Sequence, residues 1–336
     1  MRIKIEAIEY YLPAKVVSNE DLKAENPSWD INLLESRLGV AKRHIADNNE
    51  TALDLALQAC KKLFAKSKDI KSQIDSIIFC TESPDYIFPP NSCILHKMLE
   101  LPDDVFAFDF NLACSGYIYG LALAQGLICS GNAKNILLIN ADTYSKYINK
   151  QDRSTRMLFG DGAAVSLITA SNSTQGLIDI QCSTSGKHYD KFIIPAGGCR
   201  KPKSVETSLP VVNKSGNVRM LEDIHMDGMG ILVFVNSKVP LHVLSLLERN
   251  GLIIDQIDLF VFHQASKMAL DSIERLLKIK PGKVFCNLKE IGNTVSASIP
   301  ILLKDALDKG RVSTGDKVVL SGFGAGLSWG TAIIEI

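Results

Sequence analysis

The chain has 336 residues, 46% hydrophobic and 22% charged, which is enough to bury a large core and too apolar for a disordered or fibrous protein. Its 37 Lys and Arg balance 37 Asp and Glu, so no net field gathers nucleic acid or an anionic membrane surface, and neither partner is expected. A chain this long should divide into two domains or two fused halves.

The opening, MRIKIEAIEYYLP, interleaves charges with apolar residues and then meets a proline, unlike the continuous apolar stretch of a secretory signal. No run approaches membrane-spanning length, so a cytoplasmic protein without membrane insertion is expected. Eight cysteines, at 60, 80, 93, 114, 129, 182, 199 and 286, show neither CxxC pairs nor the Cys/His spacing of zinc sites. They are expected to be reduced, mostly as buried core thiols, with no metal among them.

Residues 74 to 83, IDSIIFCTES, and the stretch VFAFDFNLACSG from Val105 read as apolar strands ending in polar turns. The second turn carries Cys114 and opens SGYIYGLALAQGLICSG, where Ile118, Leu121, Leu123, Leu127 and Ile128 sustain a helix. A thiol at a helix N-terminus sits at the positive end of the macrodipole, beside backbone N–H donors, and its nucleophilic thiolate is favoured. A small residue that lets strand and helix approach explains the position equally well. Gly131 before KNILLIN, and GDGAAVSLI from Gly160, supply two more strands after glycine turns.

These features recur. IDLFVFHQAS at 257 to 266, VFCNLKEIGNTV from Val284, Gly315 before DKVVL, and SWGTAIIEI from Ser328 repeat the grammar in order at a nearly constant offset, with Asn293 opposite Cys114. Alternating strands and helices imply an α/β fold with sheets buried on both faces, and the echo implies internal duplication. The division falls near residue 172, giving halves 1–172 and 173–336. The stretch from Ser183 to Asp223, polar, basic and rich in Gly, Pro and Ser, reads as a long loop inserted into the second half. It is either a binding element or a solvated excursion.

His263 ends the strand DLFVF, so its side chain can project from the carboxyl edge of a sheet, where binding sites gather. Asn293 follows Gly292; its amide can cap the next helix, or donate to a carbonyl oxygen gaining negative charge without itself titrating. The run GFGAGLSWG, 322 to 330, lacks the Lys-Ser/Thr of a phosphate loop and comes too late to open a dinucleotide-binding unit. It reads as a close-packed turn between terminal strands, able to present the Ala325 N–H to an oxyanion.

With Cys114, HQAS, GNTVSASIP and GFGAGLSWGTAII in that order, and FGDGAAV from Phe159, the chain resembles the β-ketoacyl-acyl carrier protein synthase III family of the thiolase superfamily, end to end. The resemblance implies a homodimer of thiolase-like subunits, each two similar halves forming five αβαβα layers, and no cofactor. It implies that Cys114 accepts an acyl group from acyl-coenzyme A, the oxyanion held by the N–H groups of Cys114 and Ala325. Malonyl-acyl carrier protein then decarboxylates with His263 and Asn293 bonded to its thioester carbonyl.

Arg37 and Arg153 match coenzyme A contacts, Phe88 matches a residue reaching into the partner's acyl pocket, and Lys267 stands by the carrier-docking position. The sequence also departs from the family pattern. Trp29 lies farther from Arg37 than an adenine-stacking tryptophan should, Ser266 replaces a usual asparagine, and MGILVFVN from Met229 is unusually apolar. Three alternatives stay open: transfer of the acyl group to a non-malonyl nucleophile, a hydroxymethylglutaryl-coenzyme A synthase-like condensation using Glu82, and an inactive scaffold.

Overall fold

The computed structural model describes residues 2–66, 69–171, 173–213 and 215–336. In chain order its principal elements are β1 (Arg2–Tyr11), α1 (Ala52–Lys66), β2 (Ser76–Cys80), β3 (Phe106–Phe110), α2 (Gly116–Cys129), β4 (Asn135–Asp142) and β5 (Gly162–Ser171). There follow β6 (Gly176–Thr184), α3 (Gly228–Arg249), β7 (Leu259–Phe262), α4 (Lys267–Leu277), α5 (Ser298–Asp308), β8 (Lys317–Gly324) and β9 (Ser328–Glu335).

The first sheet has the order β1-β5-β4-β2-β3, antiparallel from β1 to β4 and parallel from β4 to β3. The second has the order β6-β9-β8-β7, again antiparallel from β6 to β8 and then parallel to β7. A parallel bridge from Phe260 to Val284 stands where β3 stands in the first sheet. Order and direction therefore match strand for strand, so the two halves are duplicates in topology as well as in motif.

Side-chain alternation along the strands builds the layers. Ile136 and Leu138 of β4, with Val318 and Leu320 of β8, face a shared interior filled by Ile118 and Leu121 of α2 and Ile299 and Leu302 of α5. Leu137 and Ile139 face the other way, onto Leu55, Ala59 and Leu63 of α1. Phe260 and Phe262 of β7 turn outward against Val239, Val243 and Leu246 of α3 and Ile273 of α4. The result is five layers, αβαβα. Strands buried on both faces are apolar throughout, which is why they read as continuous runs in the sequence.

Three expectations need correction. The 22-residue helix α3 is long and apolar enough to span a membrane by length and composition; Lys238 and His242 break the run that a linear reading looks for. It packs on β8 and β9 and buries Val235, Val239, Val243, Leu246 and Leu247. Among the cysteines Cys60, Cys80 and Cys114 are buried, whereas Cys93, Cys129, Cys199 and Cys286 are exposed. These four lie on a peripheral helix, a helix end and two loops, where no second layer covers them.

The third concerns the insertion. Ser183 and Thr184 pair with Trp329 and Ser328 and so belong to β6, held there by the Tyr119 hydroxyl at 2.9 Å from both the Ser183 carbonyl and Thr184 Oγ1. Beyond them the excursion is tied down by short ladders, Phe192–Ile193 with His225–Met226 and Val211–Val212 with Val218–Arg219. The Arg219 guanidinium also meets the buried Asp152 carboxylate at 2.7 Å. Lys214 lies outside the described residues, as does Asn172, near which the division between halves is expected; β5 ends at Ser171 and β6 begins at Gly176.

Candidate active site

Cys114 sits in the turn from β3 into α2, only 3% exposed. Its neighbours are glycines for steric reasons. A Cβ on Gly116 would fall 2.3 Å from Cys80 Sγ, a Cβ on Gly322 2.6 Å from the Cys114 carbonyl oxygen, and a Cβ on Gly324 2.9 Å from Cys114 Sγ. Strand β8 can run against the cysteine turn only because its GFGAG segment is bare there. Gly324→Ala is accordingly expected to displace the thiol, slowing acylation of Cys114 about tenfold or more and costing about 1–3 kcal/mol of stability by overpacking. Intact-protein mass kinetics and thermal unfolding would read the two effects.

His263 follows β7 and is 1% exposed. Its backbone N–H donates to the Ser321 carbonyl at 2.8 Å, continuing the parallel β7–β8 ladder by one residue and setting the ring at the strand's carboxyl end. Nδ1 lies 2.6 Å from Ser298 Oγ, and Nε2 lies 3.4 Å from Asn293 Nδ2. Asn293 is fixed by its backbone, donating to the Leu158 carbonyl at 2.9 Å and accepting from Gly160 N–H at 3.0 Å. Its Oδ1 accepts from Val295 N–H at 2.9 Å, which orients the amide and leaves Nδ2 beside the imidazole. Asn293 is not the cap of the following helices, whose N-cap positions are Thr294 and Ala297; its Oδ1 instead closes a local turn onto Val295 N–H.

Cys114, His263 and Asn293 line one cavity of about 520 Å³, with Phe323 and Gly324 in its wall. Burial holds the imidazole down at about pKa 3, so it is neutral across the physiological range. The thiol departs from expectation: burial, then the negative charges of Glu82 and Asp142, push it well above the ordinary cysteine range. The Cys114 backbone N–H opposes this and is outweighed. Proximity to a helix N-terminus therefore does not make Cys114 a resting thiolate. Asp142, pushed up to about 7 mainly by burial, accepts from the Ser296 hydroxyl and from Glu82 N–H at 2.9 Å. Glu82, also raised by burial, accepts from the Tyr144 hydroxyl.

Residues 108–186 match the family model for 3-oxoacyl-[acyl-carrier-protein] synthase III, and residues 247–336 match its C-terminal model. The β-ketoacyl-[acyl-carrier-protein] synthase III of Caldanaerobacter subterraneus subsp. tengcongensis is 36% identical over 325 residues, 97% of this chain and 95% of that one. The chain belongs to the 3-oxoacyl-acyl carrier protein synthase III family. The Campylobacter curvus relative of the same name is 35% identical, covering 100% of this chain and 97% of that one. A crystal structure of a 3-oxoacyl-(acyl-carrier-protein) synthase III superposes with TM-score 0.97 at 37% identity over 100% of both chains. That from Pseudomonas aeruginosa PAO1 gives 0.86 at 31%, covering 100% of this chain and 98% of that one. The thiolase-like fold and the class of enzyme, a condensing acyltransferase, follow.

The other residues singled out against this synthase III family fall in different places. Arg37 and Arg153 both line the cavity that holds Cys114, Arg153 donating to the Ser215 carbonyl at 2.7 Å. Phe88 is 82% exposed beside the fully open Ile87, so a phenylalanine buried within its own subunit is excluded. Trp29 is buried against Leu22 and Met157 and is not free to stack on a ligand. Lys267 is exposed, starts α4 and pairs with Asp271. Ala325 follows the glycine packed on Cys114 and opens the turn between β8 and β9. Ser298 was not legible as a site residue. It stands in GNTVSASIP, but nothing in linear spacing links it to a histidine on another element. Among the described residues no cluster of three or more His, Cys, Asp or Glu forms a metal site.

Proposed function

We propose that the chain transfers an acyl group from acyl-coenzyme A to Cys114 and condenses it with malonyl-acyl carrier protein in fatty acid or related lipid biosynthesis. The Cys114 sulfur attacks the thioester carbonyl; the N–H groups of Cys114 and Ala325 hold the oxyanion, and coenzyme A leaves with the thiol proton. Arg37 and Arg153 bind the phosphates of the departing carrier at the cavity mouth. Malonyl-acyl carrier protein, steered by Lys267, then loses carbon dioxide. The enolate charge gathers on its thioester oxygen between His263 Nε2–H and Asn293 Nδ2–H. The carbanion carbon attacks the acyl-cysteine carbonyl, releasing the β-ketoacyl product and a Cys114 thiolate that regains a proton. Ser298, donating to Nδ1, keeps the hydrogen on Nε2.

The observation that carries this reading is the single cavity in which a buried cysteine from residues 1–172 faces a neutral histidine and an oriented amide from residues 173–336. Two neutral donors suit an enolate better than a base would, since neither changes charge as the oxygen gains it. We assign a homodimer on the exposed Ile87, Phe88 and Phe106 and the unpaired edge of β3, an apolar surface that a second copy would cover, and we assign the enzyme to the cytoplasm.

The test is a panel of acyl-coenzyme A donors followed by intact-protein mass, then malonyl-carrier with carbon dioxide measured. Acylation of Cys114 and donor-dependent release are expected. No acylation by any donor would sink the proposal, and acyl-enzyme that malonyl donors fail to discharge would move it to another nucleophile.

A further inference from the structure

Glu82 is a half-buried carboxylate that the proposed chemistry leaves unused. It lines a second cavity of about 320 Å³, together with Asn111, Tyr144, Tyr147, Tyr189 and the Ala325–Gly326 turn. This cavity lies beside the cysteine, which is not itself among its lining residues but packs in one cluster with Tyr144 of its wall. Asn111 lies three residues before Cys114, Ala325 follows the glycine whose Cβ would touch Cys114 Sγ, and Phe192 walls both this cavity and the larger one. An acyl group whose oxygen is held at Ala325 N–H would extend into it.

We propose that this second cavity receives the acyl group and selects one that carries a hydroxyl, with Glu82 as the hydrogen-bond acceptor; the proposal rests on the reading that Cys114 is acylated. A cavity for a plain alkyl chain has no use for a carboxylate and three phenols. One oxygen of Glu82 accepts from the Tyr144 hydroxyl, whereas the other has no hydrogen-bond partner among the described residues. Glu82 is only partly buried and lines the cavity. A carboxylate accepts several hydrogen bonds, and leaving one oxygen bare behind an alkyl chain is costly.

The side chain is not needed to hold its own loop, because the Glu82 backbone N–H donates to Asp142 and fixes the turn whatever residue stands there. Its charge also opposes ionisation of Cys114. A group that burdens the nucleophile and is not required by the turn is explained by what it binds. A site built to hydrogen-bond a substrate hydroxyl rejects the analogue without it more strongly than an apolar site rejects an added hydroxyl.

The experiment compares the rate of Cys114 acylation by butyryl-, 3-hydroxybutyryl- and 4-hydroxybutyryl-coenzyme A, read by intact-protein mass. One of the hydroxyacyl donors is expected to exceed butyryl by tenfold or more in the native enzyme. Glu82→Leu should reverse the order, raising butyryl as it lowers the hydroxyacyl donor; Glu82→Gln, of the same shape, should fall between. Butyryl equal to or faster than both hydroxyacyl donors in the native enzyme overturns the proposal, whether or not the variants fold. So does an equal slowing of all three donors in Glu82→Leu, which would make Glu82 a support for the cysteine. Failure of every donor, acetyl-coenzyme A included, refutes acylation of Cys114 itself and removes this proposal with it.

Discussion

Cys114→Ala is expected to abolish acyl-enzyme and lower condensation by about a thousandfold or more, because a covalent route that splits acyl transfer into two steps has no substitute nucleophile here. Cys80, another buried thiol, donates to the Leu112 carbonyl and is pushed far up by burial, so it does not take over. Decarboxylation should behave differently. His263 and Asn293 are held by Ser298, Ser321, Val295 and Leu158, none of which the substitution touches. Malonyl-carrier should therefore still release carbon dioxide without condensing. Loss of both activities together would mean that the three residues do not divide the work as described.

Replacing His263 or Asn293 by alanine should give the complementary pattern: acylation of Cys114 within about threefold of native, and decarboxylation down by about 10²–10³, the usual cost of one oxyanion donor. The double variant should lose little more than either single one, since a lone donor stabilises the enolate poorly. The pH dependence follows from the electrostatics. His263, lowered by burial to about 3, is neutral above that value, and its neutral form is lost only as the pH falls through it. Decarboxylation should thus show no histidine titration between roughly pH 5 and 8. Acylation should rise with pH above neutrality, because the Cys114 thiol titrates well above its ordinary range. Stopped-flow carbon dioxide release and mass kinetics across that interval separate the two steps. An inflection near pH 6.5 in decarboxylation would show that the imidazole is not buried as described.

How much of this could be read in advance depended on distance along the chain. The strands were legible because sheets buried on both faces need unbroken apolar runs, as in IIF at 77 to 79 and LFVF at 259 to 262. The duplication was legible because IDSIIFCTES and IDLFVFHQAS each close on the same local grammar, and the matching sheet orders have that pattern as their cause. The turns carrying Cys114 and His263 were legible for the same local reason, each standing where an apolar run stops, and that of Asn293 by the glycine before it.

Packing across elements was a different matter. That Ser298 meets His263, that Gly324 makes room for the sulfur, and that Glu82 and Asp142 oppose its ionisation all arise from residues brought together by the two sheets and the helices between them. No spacing encodes such contacts. The thiol shows the consequence most plainly: its place at a helix start is local and argues for a thiolate, but desolvation by the surrounding layers is set by the whole fold and wins. The amino-acid sequence determined the fold class and the duplicated plan, since these follow from periodicity and turns within about twelve residues, and its family resemblance singled out Cys114, His263 and Asn293 as candidates. Charge state, cavity shape and the neighbours that orient each group were decided by tertiary structure, because burial and long-range contact exist only once the layers have closed.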